Sequence, residues 1–479
     1  MKKLFNYCVA FGAMFVFTLT PVSAQSPDQR PNIVFILADD LGYGDIGING
    51  QKLIKTPNID RLAKGGIQFK QFYAGATVCA PSRSSLLTGL HTGHTYIRGN
   101  VGVDPEGQQP IPDSIVTITE ILNQAGYRTA AFGKWGLGPV GSEGDPNRHG
   151  FDKFYGYNCQ SLSHRYYPTH LWNNDKKIEL EGNAGFLHQK EYAPDIIQQK
   201  AIDYISNNDG KKPFFLFLPY ILPHAELLVP DDSIFQYYKG RFKETPYKGR
   251  DYGVGALPDA YTSQPYPRAT FAAMVTRLDM YVGQVVKTLK EKGLDKNTLI
   301  IFTSDNGPHQ EGGGDPAFFQ SAGSFRGTKR DLSEGGIRVP FIAKWNGVIK
   351  PGSSSEHIGA FWDMFATFAA LAKVTRIQKT DGISIVPALQ NKNTQQQHDY
   401  LYWEFHEQGG KQAVRKGNWK AIRLQVDAKP GGPVELYDLF KDPEEKSNLA
   451  GKYPAKAKEL ELLMKEAHTR SALFPFKNE

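Results

Sequence analysis

The chain has 479 residues, of which 40% are hydrophobic, 12% aromatic and 22% charged, which is enough apolar material for a folded core. This composition excludes a disordered, collagen-like or coiled-coil protein, and the scattered 48 Gly and 30 Pro favour a loop-rich enzyme over a helical bundle. The formal charge of +7 is a mild excess that favours anionic ligands without indicating nucleic acid.

The first 24 residues have the pattern of a secretory signal peptide. Lys2 and Lys3 precede an apolar stretch over residues 7–19, and Val22-Ser23-Ala24 supplies the small residues that signal peptidase requires. The alternative is a membrane anchor, but the stretch is shorter than the roughly 20 residues of a spanning helix. We therefore expect a periplasmic or secreted protein with no membrane span and a formal charge of +5 after cleavage.

Three apolar runs in the mature chain predict strands that are buried on both faces, as in a parallel sheet. Each run leads into polar residues: 33–37 into Asp39 and Asp40, 213–218 into His224, and 297–303 into Asp305 and Asn306. Ligands of α/β sheets gather at the carboxyl ends of the strands. We therefore expect these polar side chains to meet at one edge of the sheet.

Helical periodicity separates the predicted strands. Apolar residues recur at three- and four-residue steps over residues 271–292, and shorter helical patterns cover 60–63 and 115–124. Strands that alternate with helices indicate an α/β domain with a mainly parallel sheet, which we assign to residues 25–392.

The pattern changes after a polar linker at residues 390–397. Short strand-like pieces follow at 400–405, 411–414, 419–423 and 434–439, and a helix follows at 454–468. They predict a smaller C-terminal antiparallel sheet with one helix, over residues 393–479.

Carboxylates at two strand ends indicate a cation site. Asp39-Asp40 and Asp305-Asn306 would repel one another unless a cation lay between them, and oxygen ligands favour Ca²⁺ or Mg²⁺. Asp and Asn are also common in ordinary turns after strands. Either pair alone therefore leaves turn chemistry and metal binding equally open.

Residues 79–89 read Cys-Ala-Pro-Ser-Arg-Ser-Ser-Leu-Leu-Thr-Gly and predict a helix that has Pro81 in its first turn and ends at Gly89. The positive helix N-terminus and Arg83 would surround Cys79 with positive charge. On these grounds Cys79 is a candidate low-pKa thiol nucleophile. The alternative is a buried structural cysteine.

The spacing Cys-x-Pro-Ser-Arg-x-x-x-Leu-Thr-Gly resembles the signature of the type I, formylglycine-dependent sulfatases, in which a maturation enzyme oxidises the cysteine to an aldehyde. Further matches follow in chain order: Asp39-Asp40, Gly133-Lys134-Trp135, Pro223-His224, residues 304–307, Lys329, residues 334–338 and residues 436–439. The resemblance implies an alkaline-phosphatase-like fold, with a large, mixed but mainly parallel sheet between helices and a smaller antiparallel C-terminal sheet plus helix.

The resemblance also implies the roles of individual residues. The hydrated aldehyde would be a gem-diol nucleophile, Arg83 would hold it, Lys134 and Lys329 would neutralise sulfate oxygens, and His224 with Lys329 would protonate the leaving alcohol. The implied ligands of one divalent ion, usually Ca²⁺ with Mg²⁺ as the alternative, are Asp39, Asp40, Cys79 in its matured form, Asp305 and Asn306.

One position departs from the family pattern. Many relatives carry a His where this chain has Gly136, and that His is the proposed base for release of sulfate from the enzyme. We hypothesise that His164 reaches the space left by Gly136, with His170 as the second choice. Arg338 is expected to be a structural ion-pair partner of Glu334.

Substrate specificity is expected to come from three less regular regions. His309 and Glu311 follow the second metal-ligand pair and suit sugar hydroxyls, and His406 of the C-terminal domain could line the mouth of the pocket. Residues 235–266, rich in Tyr, Lys and Arg, could stack on sugar and attract sulfate, or could be a solvated loop.

The sequence therefore predicts an exported sulfatase of a sulfated carbohydrate, with a galactose-type sugar as the first expectation. The alternatives are a phosphoester or phosphonate hydrolase of the same superfamily and a sulfoglycan-binding pseudoenzyme, the latter because the imidazole at Gly136 is missing. The expected partners are the maturation enzyme and signal peptidase, and no nucleic acid. Because Cys8 leaves with the signal and Cys79 is converted, Cys159 would be the one remaining thiol.

Overall fold

The structure is a computed structural model that describes residues 30–104 and 106–478. The predicted signal peptide at 1–24, including Cys8, lies outside the described residues, so its cleavage stays a prediction. None of the helices within the described ranges has the length and hydropathy of a membrane-spanning segment.

Ten strands form one large sheet: β1 (Asn32–Ala38), β2 (Ile67–Tyr73), β3 (Arg128–Lys134), β4 (Lys153–Tyr157), β5 (His170–Asn173), β6 (Lys176–Glu179), β7 (Phe214–Pro219), β8 (Thr298–Ser304), β9 (Phe341–Trp345) and β10 (Ser353–Ala360). Their spatial order is β10-β2-β9-β8-β1-β7-β3-β4-β5-β6. The central strands β8, β1, β7, β3 and β4 are parallel, whereas β9, β5 and β6 run antiparallel to their neighbours. The predicted mixed, mainly parallel sheet is confirmed.

Helices cover both faces of this sheet: α1 (Pro57–Lys64), α2 (Cys79–Thr88), α3 (Ile118–Gln124), α4 (Gln160–Ser163), α5 (Ala193–Ser206), α6 (Ser233–Tyr238), α7 (Pro267–Glu291), α8 (Pro316–Phe319), α9 (Glu334–Ile337), α10 (Asp363–Leu371) and α11 (Val386–Leu389). Alternate residues of β1 point to opposite faces and pack against α1, α5 and α7 on one side and against α2, α3 and α10 on the other. Burial on both faces explains why residues 33–38 of β1 are all apolar.

Three predicted helices begin at different residues from those expected, for local chemical reasons. The helix predicted at residues 60–63 begins at Pro57, in the first turn, where proline is favoured. The helix predicted from residue 271 begins at Pro267, a residue that suits the first turn of a helix. The helix predicted from residue 115 begins at Ile118, because the side chains of Thr117 and Glu120 form a capping box.

The C-terminal sheet consists of β11 (Leu401–Phe405), β12 (Lys411–Lys416), β13 (Trp419–Leu424) and β14 (Val434–Asp438), antiparallel in chain order. One face packs through Trp403 against Tyr73 and Trp362 of the large domain, and the other packs against α12 (Pro454–Ala467). The predicted antiparallel sheet with one helix is confirmed. The domain boundary at residue 392 stays a prediction.

Candidate active site

The parallel pairing of β1 with β8 brings the two predicted ligand pairs together. Ala38 lies opposite Ser304, so that both strands end at the same level. The backbone N–H of Asp40 donates to Oδ1 of Asp305 at 3.1 Å, and the side-chain amide of Asn306 donates to Oδ1 of Asp40 at 2.6 Å. These groups and Asp39 are buried. The expectation that they meet at the carboxyl ends of the strands is met.

Helix α2 presents Cys79 and Arg83 to this cluster. Cys79 is the first residue of the helix, and its Sγ lies 3.3 Å from Oδ1 of Asp39. One turn later, Nη2 of Arg83 donates to Asp39 at 3.1 Å and to Asp305 at 2.9 Å, and Nη1 donates to the carbonyl of Lys134 at 2.7 Å. Arg83 therefore links the two strand ends to β3.

The remaining predicted reactive residues join the same cluster. Nζ of Lys134, at the end of β3, lies 2.7 Å from Oδ2 of Asp39. Nζ of Lys329 lies 2.8 Å from Oδ2 of Asp40 and 3.2 Å from Nε2 of His224. Side chains from widely separated positions in the sequence thus form one buried ionic centre.

The charges in this centre strongly perturb its carboxyl groups. Burial raises the pKa of Asp39, but the charges of Lys134, His224 and Arg83 outweigh it and hold that pKa well below its usual range. Burial and the charge of Asp39 raise the pKa of Asp305 to about 7. Burial and the neighbouring charges therefore shift the pKa values of these two carboxyl groups in opposite directions.

The donor set fits a hard divalent cation. Ligand atoms of Asp39, Asp40, Cys79 and His224 all lie within 4.8 Å of one another. Oδ1 of Asn306 is buried and has no hydrogen-bond partner among the described residues. Buried polar atoms are rarely left unpaired, and carboxylate and amide oxygens are the ligands that Ca²⁺ prefers. A cation bound beside these carboxylates would take that oxygen as a ligand.

The expected low-pKa thiol at Cys79 is not found. Burial raises the pKa of this thiol well above its usual value, and the carboxylate of Asp39 raises it further. The charges of Lys134 and Lys329 lower this pKa but do not outweigh burial. An unmodified thiol is therefore a poor nucleophile at this position.

The space beside Gly136 is faced by a residue that the sequence analysis missed. A Cβ atom added to Gly136, whose φ is +80°, would lie 3.5 Å from Nε2 of Gln160. His164 instead stacks on His224, with ring centroids 5.2 Å apart and planes 6° apart. The second choice, His170, is hydrogen-bonded to Glu106 at 2.7 Å. His164 therefore lies beside the proposed proton donor rather than beside Gly136.

The three predicted substrate-binding residues, His309, Glu311 and His406, lie in different surroundings. His309 is buried, and its ring nitrogens contact the carbonyl of Pro223 at 3.0 Å and the N–H of Glu311 at 3.2 Å. His309 therefore anchors the loop and leaves neither ring nitrogen for a sugar hydroxyl, contrary to expectation. Glu311 is partly exposed and lies 3.7 Å from Lys329, so a substrate contact remains open to it.

His406 lies in a network of its own in the C-terminal domain. Its Nε2 contacts Glu404 at 3.0 Å, and its ring stacks on Phe476 with centroids 4.2 Å apart. Its side chain is only 6% exposed. His406 is therefore buried in this network and is not open at the mouth of a pocket, contrary to expectation.

Most predicted aromatic and basic residues of segment 235–266 have structural partners. Tyr238 is buried and hydrogen-bonded to Thr276 at 2.7 Å, and the ring of Tyr237 lies under Arg241 at 3.8 Å. The residue of this segment that faces the ionic centre is Tyr261, which the sequence analysis did not single out.

Two further sequence expectations concern structural residues. Nη1 of Arg338 lies 3.2 Å from Oε2 of Glu334, which confirms the expected ion pair. Cys79 and Cys159 are both free and buried.

Comparisons with known proteins point in one direction. A family model described as Sulfatase matches residues 31–374, and one described as N-sulphoglucosamine sulphohydrolase, C-terminal, matches residues 324–471. The chain is 30% identical to N-acetylgalactosamine-6-O-sulfatase of Bacteroides thetaiotaomicron, over 92% of this chain and 94% of the relative. It is 31% identical to arylsulfatase A of Homo sapiens, over 88% and 84% of the two chains. The crystal structure of Ps i-CgsB in complex with k-i-k-neocarrahexaose is 29% identical, with a TM-score of 0.74, over 91% and 92% of the chains.

Proposed function

The chain belongs to the sulfatase family of sulfuric ester hydrolases, and from this premise we propose that it hydrolyses O-sulfate esters of a carbohydrate through a formylglycine made from Cys79. The observation that carries the proposal is the convergence of Cys79, three carboxylates and the cations Arg83, Lys134 and Lys329 in one buried centre. That centre lies within the segment that matches the sulfatase model.

The proposed substrate is a galactose-type sugar with its sulfate on carbon 6. Relatives from Bacteroides thetaiotaomicron and Homo sapiens that match this chain are named as N-acetylgalactosamine-6-sulfatases. The bacterial relative is matched along nearly its whole length, which supports carrying its substrate class into the proposal.

Two groups would complete the centre. Asp39, Asp40, Asp305 and Asn306, with residue 79, would hold one divalent cation, Ca²⁺ as the first candidate, which would stabilise negative charge on the sulfate oxygens. A formylglycine produced at position 79 by a maturation enzyme would supply a hydrated aldehyde as the nucleophile.

Lys134 and Lys329 bind and neutralise the sulfate group. Each ammonium is fixed by a buried carboxylate, at 2.7 Å from Asp39 and 2.8 Å from Asp40, and both act electrostatically on residue 79. Fixed cations in a buried site stabilise charge that develops in the transition state without reorganising. They therefore favour the attack on sulfur.

The proton for the leaving alcohol is held between Lys329 and His224. Nδ1 of His224 contacts the carbonyl of Ala225, so Nε2 is the ring nitrogen that faces Nζ of Lys329 at 3.2 Å. A proton held between these two atoms can pass to the departing oxygen as its bond to sulfur breaks. His224 and Lys329 therefore act as one proton-donating pair.

The proposal is tested with a panel of defined esters. Protein whose residue-79 peptide mass confirms conversion is incubated with galactose 6-sulfate, N-acetylgalactosamine 6-sulfate, other sulfated sugars and matched phosphate monoesters. We expect sulfate release from the galactose-type 6-sulfates and none with Cys79→Ala. Faster phosphate release would support a phosphoester hydrolase, and tight binding without release would support a sulfoglycan-binding pseudoenzyme.

Export is a separate part of the proposal, and it rests on residues 1–24 alone. N-terminal sequencing of protein recovered from the periplasm or medium should begin at Gln25. Intact residues 1–24 on cytoplasmic protein would contradict export.

A further inference from the structure

A hydrogen-bonded loop lies next to the proton-donating pair. Residues 247–264 fold back on themselves, with Tyr247 and Gln264 paired in an antiparallel bridge. The backbone N–H of Arg250 donates to the carbonyl of Tyr261 at 2.8 Å, and the side-chain amide of Gln264 donates to the carbonyl of Leu227 at 2.8 Å. Hydrogen bonds therefore hold the carbonyl of Tyr261 and the residues that follow it.

A buried ion pair joins this segment to the histidines. Arg165 and Glu226 contact each other at 2.9 Å, and both side chains are fully buried. Nε of Arg165 donates to the carbonyl of Leu257 at 2.8 Å, and Glu226 accepts from the N–H of Thr262 at 3.1 Å. Because Arg165 follows His164 and Glu226 lies two residues after His224, this pair sets the position of Tyr261 relative to both imidazoles.

The ring of Tyr261 lies at the edge of the reactive centre. Its centroid is 5.4 Å from that of His164 and 6.5 Å from that of His224, with the planes tilted by more than 60°. Burial raises the pKa of its hydroxyl, Lys329 lowers it, and Glu311 and Asp40 raise it. The ring of Tyr261 therefore lies against both imidazoles, next to the proton-donating pair.

The hydroxyl of Tyr261 is available to a ligand. It makes no hydrogen bond to any residue in the part of the chain that the structure describes, and the side chain is only partly buried. Two cations nearby already have carboxylate partners, since Lys329 contacts Asp40 and Arg330 contacts Glu311. Gly312 lies beside the ring of Tyr261 and has no side chain to cover it. A Cβ atom added to Gly312 would lie 3.8 Å from Cγ of Tyr261.

We propose that Tyr261 is a specificity-determining residue that contacts the sugar carrying the sulfate ester. The leaving oxygen must lie at His224 and Lys329, so the rest of the sugar extends past the neighbouring Tyr261. The phenolic hydroxyl then hydrogen-bonds a hydroxyl near the sulfated carbon, and the ring packs against the sugar. This inference rests on the proposed function, because it takes the leaving alcohol to be a sugar.

The test compares Tyr261→Phe with the wild type on two kinds of ester. For N-acetylgalactosamine 6-sulfate, loss of one hydrogen bond should lower kcat/KM by about tenfold, mainly through KM. For 4-nitrophenyl sulfate, which has no sugar hydroxyl, kcat/KM should change by less than about twofold. The matched control is Tyr237→Phe, the same change in a tyrosine that packs on Arg241, and it should leave both values unchanged.

A binding measurement separates this inference from the proposed catalysis. In a Cys79→Ala background, Tyr261→Phe should weaken calorimetric binding of N-acetylgalactosamine 6-sulfate by a similar factor, whether or not the wild type turns it over. Equal losses on both esters, or unchanged binding and turnover of the sugar sulfate, would overturn the role of Tyr261. Failure of converted wild-type protein to release sulfate would count against the proposed function instead.

Discussion

Nζ of Lys329 lies 3.2 Å from Nε2 of His224 and 2.8 Å from Oδ2 of Asp40. One ammonium group thus connects the proposed proton donor to an implied metal ligand. Its two contacts fix the ammonium where the alcohol must depart, so proton donation and charge neutralisation depend on the same side chain.

Replacing either member of this pair should impair departure of the alcohol. We expect His224→Ala and Lys329→Ala each to lower kcat for a sugar sulfate by about 10² to 10⁴-fold. The loss should be smaller for 4-nitrophenyl sulfate, because nitrophenolate leaves without a proton. The double variant should cost little more than the worse single variant, since the two groups act together. Equal losses for both esters, or additive losses, would contradict a shared proton.

The role of His164 can be separated from that of Gln160. If His164 is the base that releases sulfate from the enzyme, His164→Ala should retain sulfate on the residue-79 peptide, as seen by mass spectrometry, and should turn over slowly. Gln160→Ala is the matched control, because it removes the side chain that faces Gly136. It tests whether the residue beside Gly136 contributes to release of sulfate. Unchanged turnover in His164→Ala would exclude this base.

Cation binding should be visible in stability as well as in activity. Chelation should abolish sulfate release, and Ca²⁺ at 100 times its Kd should raise the free energy of unfolding by about 2.7 kcal/mol. Asp40→Asn should lose this calcium-dependent increase in Tm, whereas Asp209→Asn, at an exposed ion pair with Arg128, should keep it. A chelator-treated protein with full activity and unchanged Tm would contradict the site.

A pH-dependent contribution to stability is predicted far from the reactive centre. Burial raises the pKa of Glu404, but hydrogen bonds from His406 and His468 and the charge of Arg98 outweigh it and hold that pKa well below its usual range. The stabilisation of the folded protein by ionised Glu404 is therefore complete above the unfolded-state pKa of about 4.3 and is lost as the pH falls below that value.

Urea unfolding at several pH values tests this prediction. Glu404→Gln should lower the free energy of unfolding at pH 7 by about 3 kcal/mol, because it leaves Arg98 without its buried partner. Between pH 5 and 3 the variant should lose less stability than the wild type. The control Glu291→Gln, at an exposed pair with Lys287, should behave like the wild type. Identical pH dependence in wild type and Glu404→Gln would contradict the assignment.

The sequence could predict the parts of the site that lie at the ends of strands. Asp39 and Asp305 follow apolar runs, and parallel pairing of those runs brings the ends together. Cys79 and Arg83 could be placed because they lie one turn apart on one helix. Local patterns were therefore sufficient for the two sheets and for the strand-end and helix residues of the centre, whereas Lys134, His224 and Lys329 were assigned through the family resemblance.

Residues positioned by long-range packing were not predictable in the same way. His309 is buried against Pro223, 86 residues away, and no local pattern distinguishes it from an exposed loop histidine. Gln160 approaches Gly136 because of how β3 and the segment after β4 pack, and Tyr261 faces the site because Arg165 and Glu226 hold its loop. Their positions depend on the assembled fold.

The central claim is that a converted residue 79 carries out the hydrolysis. The most direct measurement is the rate of sulfate release from N-acetylgalactosamine 6-sulfate by preparations that differ only in the fraction of residue 79 converted, as determined by peptide mass. We predict a rate proportional to that fraction, with no release by protein that retains Cys79. Equal rates with and without conversion, or no release by fully converted protein on any sulfated sugar, would contradict the account.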